Sequence, residues 1–370
     1  MTQGKKIRVL VVDDSAIARD MLERGLSLDP GIDVVGKASD AFSARDRIVL
    51  LQPDVITLDV EMPRMDGIEF LRRLLPQYPI PVVVVSAVTV EGSQRALDAM
   101  DAGAVDVVAK PDAKNREGFS VMLAELKEKI KEASTADIVK LRKVLPAPSD
   151  ASGSRIFASH KKERAAGPVT NAPCSRIIAI GASTGGTSVL NTIIPQFPAD
   201  TPGIVIVQHM PPVFTRLFAE ALNKTSKVEV KEAVSGDVVR TGLVLVAPGD
   251  FHMVIHKRGL EWYVECKTGE KVSGHRPSVD VLFNSVASEA GNKSIGLILT
   301  GMGKDGAAGL LAMRRSGARC FAQNEESSVV FGMPKEAWDN GGAERLVPID
   351  RAVGCILSCL DAEKSKRGAQ

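Results

Sequence analysis

The sequence predicts an α/β protein made of two consecutive domains, each built on a parallel sheet. Short apolar runs alternate with segments of helical periodicity over most of the 370 residues, which is typical of parallel sheets covered by helices. A central stretch rich in Pro, Ser, Gly and charged residues lacks this alternation and indicates a linker. We therefore expect a first domain over residues 1–132, a linker over 133–173 and a second domain over 174–365.

Five apolar runs in the first domain are each followed by a segment with helical spacing. The predicted strands cover residues 7–12, 33–37, 55–58, 81–85 and 105–109. The predicted helices cover residues 15–28, 41–51, 67–75, 92–102 and 119–131. Ser15 is of a residue type that caps helix N-termini. Five strand–helix units predict a flavodoxin-like (βα)5 domain with a parallel sheet.

The helical pattern extends weakly into the linker, through Ile138 and Leu141, before the composition changes. The alternation then resumes in the second domain. The predicted strands there cover residues 176–180, 203–207, 228–232, 243–247, 295–299 and 318–322. Two further runs, 252–256 and 261–265, are separated by four residues and predict an antiparallel hairpin. The second domain is thus expected to be doubly wound and mostly parallel, with an antiparallel insert.

Composition excludes several classes of protein. A formal net charge of +2 and only 4% aromatic residues argue against a nucleic-acid binder, which usually presents a basic face and stacking platforms. The five cysteines form no CxxC pair, and their odd number is untypical of a disulfide framework. No apolar stretch approaches the length of a membrane helix. We expect a soluble cytoplasmic protein without direct membrane insertion.

Polar residues follow the predicted strands of the first domain at one edge of its sheet. They are Asp13, Asp14, Asp59, Ser86 and Lys110. Three carboxylates at close quarters repel one another and call for a cation, and Mg²⁺ prefers oxygen ligands while leaving room for a phosphoryl group. Asp59 could then accept a phosphoryl group, with Lys110 and Ser86 contacting its oxygens. Each residue alone could instead be a polar strand end or helix cap.

These residues resemble the motifs of response-regulator receiver domains. The matching segments are Asp13-Asp14-Ser15, 57–67 (TLDVEMPRMDG), Ser86-Ala87 and Lys110-Pro111. The resemblance covers the first third of the chain. It implies that Asp59 is phosphorylated and that Asp13, Asp14 and the Glu61 backbone hold Mg²⁺. Many receivers carry an aromatic residue three positions before the lysine, whereas this chain has Val107, so signalling would have to run through Ser86 and the surface around it.

The second domain offers three candidates for acyl-transfer chemistry, each in a turn after a predicted strand. Ser183 lies in Gly181-Ala-Ser-Thr-Gly185, a G-x-S-x-G turn at the start of a helix predicted over 187–194. His209 and Asp305 follow other strands, so the three could meet as nucleophile, base and orienting carboxylate. The alternative base is His275, and the alternative acids are Asp250 and Asp280. His252 and His256 look like ordinary hairpin or surface residues.

A Gly-rich turn after a strand can also bind a nucleotide phosphate. This turn departs from G-x-G-x-x-G, and no acidic residue ends a strand about twenty positions further on. A nucleotide-binding response regulator without catalysis stays open as an alternative interpretation.

Together the motifs of the second domain resemble the chemotaxis protein-glutamate methylesterase/glutamine deamidase family. The matching segments are 180–186 (IGASTGG), 208–212 (QHMPP), 246–250 (VAPGD), 273–280 (SGHRPSVD) and 299–306 (LTGMGKDG). The resemblance spans nearly all of the chain after residue 173. It implies Ser183 as nucleophile, His209 as base and Asp305 as orienting carboxylate. It also implies two groups of neighbours: Thr184 and Met302 near the oxyanion, and His275 and Arg276 lining the site.

The resemblance further implies the reaction and its control. The substrate would be a glutamate γ-methyl ester, or a glutamine, on the cytoplasmic helices of a chemoreceptor, and the phosphoryl donor a histidine kinase of the chemotaxis pathway. The hydrolase site would need no cofactor. We expect the unphosphorylated first domain to cover the Ser183 crevice until Asp59 is phosphorylated. A phosphorylation-gated hydrolase or amidase acting on another protein is the remaining alternative.

Overall fold

The computed structural model describes residues 5–87, 89–111, 116–144 and 174–367. The chain divides into two compact units, Met1–Leu145 and Pro146–Gln370. Most of the predicted linker, residues 145–173, lies outside the described residues. Among the described residues, no helix combines the length and the apolar character that crossing a membrane requires.

The described part of the first unit contains five strands and six helices. The strands are β1 (Ile7–Val12), β2 (Ile32–Ala38), β3 (Val55–Leu58), β4 (Val82–Ala87) and β5 (Asp106–Lys110). The helices are α1 (Ala16–Leu26), α2 (Ala41–Leu51), α3 (Gly67–Leu74), α4 (Val90–Asp101), α5 (Arg116–Ala133) and α6 (Ile138–Val144). The strand order is β2-β1-β3-β4-β5, with every pair parallel. The predicted flavodoxin-like (βα)5 domain is confirmed.

Local sequence explains where these elements begin. The Ser15 side chain accepts a hydrogen bond from the Ala18 N–H and caps α1, and Asp40 forms a capping box with Ser43 at α2. The inner strands β1, β3 and β4 are mostly apolar and buried because helices cover both faces of a parallel sheet, whereas the edge strand β2 is largely only partly buried. The predicted extension of α5 is wrong: backbone hydrogen bonds at Ser134, Thr135 and Ala136 close the helix, and α6 starts separately.

The second unit contains ten strands and six helices within the described residues. Its strands are β6 (Ile177–Ala182), β7 (Gly203–Gln208), β8 (Glu229–Glu232), β9 (Val238–Val239), β10 (Leu243–Val246), β11 (His252–Arg258), β12 (Glu261–Lys267), β13 (Ser294–Ile298), β14 (Arg319–Gln323) and β15 (Arg345–Val347). Its helices are α7 (Gly186–Ile193), α8 (Phe214–Thr225), α9 (Val279–Glu289), α10 (Ala307–Arg315), α11 (Met333–Asp339) and α12 (Ile349–Arg367).

Seven of these strands form one parallel sheet in the order β15-β14-β13-β6-β7-β10-β8. The strands β11 and β12 form the predicted antiparallel hairpin, which β9 extends to three strands. Strand β6 is central, and the chain adds β7 on one side of it and β13 on the other. The loops after β6 and β13 therefore leave the sheet at a topological switch point, where crevices form in α/β proteins.

Candidate active site and phosphoacceptor site

The three candidate residues of the second unit lie at the carboxyl ends of adjacent strands. Ser183 directly follows β6, His209 directly follows β7, and Asp305 lies in the loop after β13. The ladder continues past the strand ends, because the Ser183 N–H donates to the Thr300 carbonyl (3.0 Å) and the His209 N–H donates to the Ala182 carbonyl (3.1 Å). The sheet itself thus sets the spacing of Ser183 and His209.

The side chains of Ser183, His209 and Asp305 form a continuous hydrogen-bonded chain. The His209 ring lies 3.1 Å from the Ser183 Oγ through Nδ1 and 2.8 Å from the Asp305 Oδ2 through Nε2. An ionised carboxylate only accepts, so Nε2 carries the proton and the Nδ1 lone pair faces the serine hydroxyl, which donates. All three residues are buried, and Ser183 is only 2% exposed. The arrangement can withdraw the hydroxyl proton from Ser183.

Asp305 is held by the first turn of α9. Its Oδ1 accepts from the Ser278 Oγ (2.7 Å) and the Asp280 N–H (3.1 Å), and its Oδ2 also accepts from the Val279 N–H (2.7 Å). Burial acts to raise the pKa of Asp305, but the hydrogen bonds from His209 and Ser278 outweigh it and lower the pKa to about 2. The carboxylate is therefore ionised and fixed in orientation.

We expect the stabilising contribution of Asp305 to depend on pH in the acid range only. A carboxyl whose pKa falls on folding contributes stability that is present above its unfolded value of 3.8 and is lost as the pH falls through about 2. Asp305→Asn should therefore unfold at a lower temperature than the wild type at neutral pH. That difference should shrink between about pH 4 and pH 2. Thermal unfolding measured against pH checks this, and a constant difference over the range would contradict it.

Close backbone approach shapes the turn around Ser183. Gly185 has φ +74° and caps α7 in the left-handed region, which favours glycine. A Cβ on Gly301 would lie 2.7 Å from the Ser183 Cβ and 2.4 Å from the Met333 Sδ, so only glycine fits there. The sharp G-x-S-x-G turn thus depends on a glycine from a distant loop as well as on its own.

Gln208 is a site residue that the sequence analysis does not identify. Its Nε2 donates to the Ser183 carbonyl (2.9 Å) and the His209 carbonyl (3.2 Å), so one side chain ties the two turns together. Its Oε1 is buried with no hydrogen-bond partner among the described residues. Its position next to His209 in the 208–212 segment is a weak signal in the sequence, because a glutamine at the end of a strand carries no distinctive chemistry.

The residues implied to line the site have varied surroundings. Thr184 is buried and its carbonyl accepts from the Thr300 hydroxyl (3.0 Å), whereas Met302 is partly exposed. The His275 ring stacks on the His209 ring, with 3.7 Å between centroids and 10° between planes. Arg276 pairs with Asp250, through Nε at 2.9 Å from Oδ1. His275 thus covers one face of the His209 imidazole.

The structure also separates the alternative acids from His209. Asp250 is engaged by Arg276. Asp280 accepts from the Gly309 N–H (2.7 Å) at the start of α10, and burial together with the charge of Asp305 raises its pKa. Asp280 therefore links α9 to α10, and Asp305 alone of the three contacts the imidazole.

His252 lies in the hairpin as expected, but the interpretation of it as an ordinary surface residue is wrong. It is 4% exposed, and its ring bonds to the Glu270 carbonyl (2.8 Å) and to the Ser278 N–H (3.2 Å). The sequence around His252 does not reveal its burial, because both hydrogen-bond partners are distant in sequence. His256 is partly exposed and pairs with Glu265 (2.8 Å), as the sequence suggested.

In the first unit, three carboxylates and a lysine meet at the carboxyl edge of the sheet. Asp13, Asp14 and Asp59 place carboxylate oxygens within 4.8 Å of one another. The Lys110 Nζ lies 2.7 Å from the Asp13 Oδ2 and also bonds to Asp59. Burial raises the pKa of Asp59, with Lys110 opposing and Asp13 adding to the effect. Burial lowers the pKa of Lys110, but the two carboxylates outweigh it and raise that pKa.

The remaining predicted receiver residues lie beside this cluster. The Glu61 N–H donates to the Asp59 Oδ1 (2.9 Å), which fixes the carboxylate. The Ser86 hydroxyl is buried and donates to the Gly92 carbonyl (3.0 Å). Val107 is buried and pairs with Val84 inside the sheet, and it offers no aromatic ring that could swing outward.

Fold and site geometry define the class of protein. The first unit is a phosphoacceptor receiver domain, and the second is an α/β domain with the serine–histidine–aspartate arrangement of a hydrolase. Two family models match: the response regulator receiver domain over residues 9–117 and the CheB methylesterase over residues 178–356. The chain belongs to the CheB methylesterase family. It is an enzyme, a phosphorylation-activated methylesterase of chemotaxis.

Curated relatives match nearly the full chain. A protein-glutamate methylesterase/protein-glutamine glutaminase of Syntrophotalea carbinolica is 53% identical, covering 97% of this chain and 99% of the relative. One of the same description from Sulfurimonas denitrificans is 49% identical over the same shares. The CheB methylesterase catalytic domain of Thermotoga maritima, a solved structure, is 39% identical with a TM-score of 0.49, covering 50% of this chain and 98% of that one.

Proposed function

We propose that Ser183, His209 and Asp305 hydrolyse glutamate γ-methyl esters on the cytoplasmic helices of a chemoreceptor. The observation that carries this assignment is the single imidazole bonded at one nitrogen to a serine hydroxyl and at the other to a buried carboxylate. Each role follows from position: Ser183 is the nucleophile, His209 the general base and Asp305 the group that fixes the imidazole. The curated relatives carry the matching description, protein-glutamate methylesterase.

The reaction begins when the Ser183 Oγ attacks the ester carbonyl carbon and its proton passes to the His209 Nδ1. The oxyanion that forms is stabilised by backbone N–H groups, for which Thr184 and Met302 are the proposed donors. The intermediate collapses, His209 returns the proton to the leaving methoxide, and methanol departs. Water then attacks the acyl group, again with His209 as base, which releases glutamate and restores Ser183.

Glutamine deamidation uses the same groups with a different leaving atom. The Ser183 Oγ attacks the side-chain amide carbon, and the protonated His209 donates to the nitrogen so that ammonia leaves. Both substrates give the same glutamyl acyl group on Ser183, so the second half of the reaction is shared. The relatives' second description, protein-glutamine glutaminase, fits this common intermediate.

The receiver domain supplies control. We infer that Asp59 accepts a phosphoryl group from the histidine kinase of the chemotaxis pathway, since its carboxylate lies among Asp13, Asp14 and Lys110. A receiver implies a divalent metal, and the hard oxygen donors fit Mg²⁺, which Asp13, Asp14 and the Glu61 carbonyl would hold. When bound, Mg²⁺ offsets negative charge on the phosphoryl oxygens. Lys110 pairs with the charge of the phosphoryl oxygens, and the Ser86 hydroxyl donates a hydrogen bond to one of them after rotating.

We place the protein in the cytoplasm, with its kinase and the receptor helices.

Methanol release from radiolabelled, methylated receptor tests the proposal. We expect the full chain to release methanol, and to do so faster when acetyl phosphate and Mg²⁺ are supplied. A small aliphatic ester serves as the comparison substrate. Hydrolysis of the small ester without methanol release from the receptor would favour a hydrolase acting on another protein. Tight nucleotide binding with no fluorophosphonate labelling of Ser183 would favour the non-catalytic alternative.

A further inference from the structure

Residues 270–278 form most of the loop that leads from β12 of the hairpin to α9, and they carry His275 to the active site. At its tip, backbone hydrogen bonds join Val272 and His275 in both directions (3.1 and 2.9 Å). Ser273 and Gly274 between them both have positive φ, 54° and 85°, which is the geometry of a type I′ turn. Residues 270–274 are exposed, while the loop's last residue, Ser278, is buried and caps α9.

The buried imidazole of His252 joins the two ends of this loop. It lies 2.8 Å from the Glu270 carbonyl through Nε2 and 3.2 Å from the Ser278 N–H through Nδ1. A carbonyl can only accept and a backbone N–H can only donate, so the two partners fix the tautomer without ambiguity. His252 is neutral, with its proton on Nε2 and its Nδ1 lone pair on Ser278.

Ser278 is the point at which this contact reaches the catalytic machinery. Its hydroxyl donates to the Asp305 Oδ1 (2.7 Å), and the next two residues donate their N–H groups to the same carboxylate. The carboxylate in turn bonds to His209. Moving Ser278 by a few tenths of an ångström therefore moves the group that orients the base.

A second contact also holds the loop, but it is more exposed to solvent than the His252 contact. Arg276 pairs with Asp250 (2.9 Å) and bonds to the Gly269 carbonyl. The Asp250 side chain is 54% exposed, so water and salt screen this pair. His252 is 4% exposed, and removing its acceptor would leave the Ser278 N–H buried without a partner, which is costly.

We propose that His252 is a positioning residue, which acts through Ser278 to hold the Asp305 carboxylate in the orientation that His209 requires. The inference rests on the proposed roles of Ser183, His209 and Asp305. It assigns a function to a histidine that does not touch those three side chains.

Two substitutions distinguish the hydrogen bond of His252 to Ser278 from its hydrogen bond to Glu270. In His252→Asn the amide oxygen stands where Nδ1 was, so it can still accept from Ser278. In His252→Gln the amide reaches toward Glu270 and the acceptor for Ser278 is lost. We expect His252→Gln to lower kcat about tenfold, as for the loss of a buried hydrogen bond, with KM changed by less than about twofold. His252→Asn should keep most of the rate.

His256→Asn is the matched control, since His256 lies two positions along the same strand, is partly exposed and pairs with Glu265. It should leave kcat unchanged. The end point of fluorophosphonate labelling counts folded sites in each variant, and kcat is divided by that count so that partial unfolding does not imitate the effect.

The proposal is overturned if His252→Gln keeps the wild-type kcat per labelled site, if only its KM rises, or if His252→Asn is impaired as much as His252→Gln. Should the wild type release no methanol from receptor, the proposed substrate fails instead. The rate of fluorophosphonate labelling of Ser183 in the same variants then decides the role of His252, with the same order expected.

Discussion

Ser183→Ala should reduce methanol release by roughly four to six orders of magnitude. The hydroxyl is the nucleophilic atom that bonds to the His209 imidazole, and alanine removes it while leaving the backbone of the turn in place. Substrate binding and the backbone N–H groups remain, so KM should change much less than kcat. Steady-state methanol release and fluorophosphonate labelling measure the loss of rate and of the reactive hydroxyl separately.

Ser358→Ala provides the control for this substitution. Ser358 is an exposed serine on α12 of the same domain, and its removal should change neither rate nor labelling. If Ser183→Ala kept most of the esterase activity, a mechanism through a covalent acyl-Ser183 intermediate would be excluded. A large rise in KM at constant kcat would instead make Ser183 a substrate-binding group.

Asp59→Asn should abolish the increase in rate that acetyl phosphate and Mg²⁺ produce, and leave basal hydrolysis in place. Asparagine preserves the shape of the side chain but has no nucleophilic oxygen for phosphoryl transfer. It also weakens the pairing with Lys110, whose Nζ bonds to both Asp13 and Asp59. Incorporation of labelled phosphate and the ratio of rates with and without donor provide the two measurements.

Asp33→Asn is a suitable comparison, because Asp33 is an exposed carboxyl in β2 of the same domain and lies outside the cluster of Asp13, Asp14 and Asp59. It should be phosphorylated and activated normally. Activation that persists in Asp59→Asn without incorporated phosphate would mean that acetyl phosphate acts elsewhere. Incorporation of phosphate in that variant would mean that a different residue is the acceptor.

Much of the fold could be predicted because its pattern is local. The buried strands β1, β3 and β6 are short apolar runs, and polar or glycine residues mark their ends. The ends shifted by one or two residues where the ladder extends beyond the apolar run, as when β6 continues to Ala182 beside Gln208 of β7. The edge strand β15 has three residues, too few to show a period.

The contacts between elements could not be predicted in the same way. Gln208, Asp280 and His252 each bond to groups that are distant in sequence or in another element. Glutamine, aspartate and histidine are also common on surfaces, so residue type alone does not distinguish them. For this reason the sequence does not distinguish the buried His252 from an ordinary surface or hairpin residue.

The sequence by itself determined the class of fold, the order of the domains and the turns that hold Ser183, His209, Asp305 and Asp59, because strand periodicity and turn chemistry depend on neighbouring residues. Only the tertiary structure decided that His209 faces Ser183 with Nδ1 and Asp305 with Nε2, and that Ser278 and His252 support the carboxylate. Those choices depend on the register of adjacent strands and on the packing of α9 against them, to which residues far apart in the chain contribute jointly.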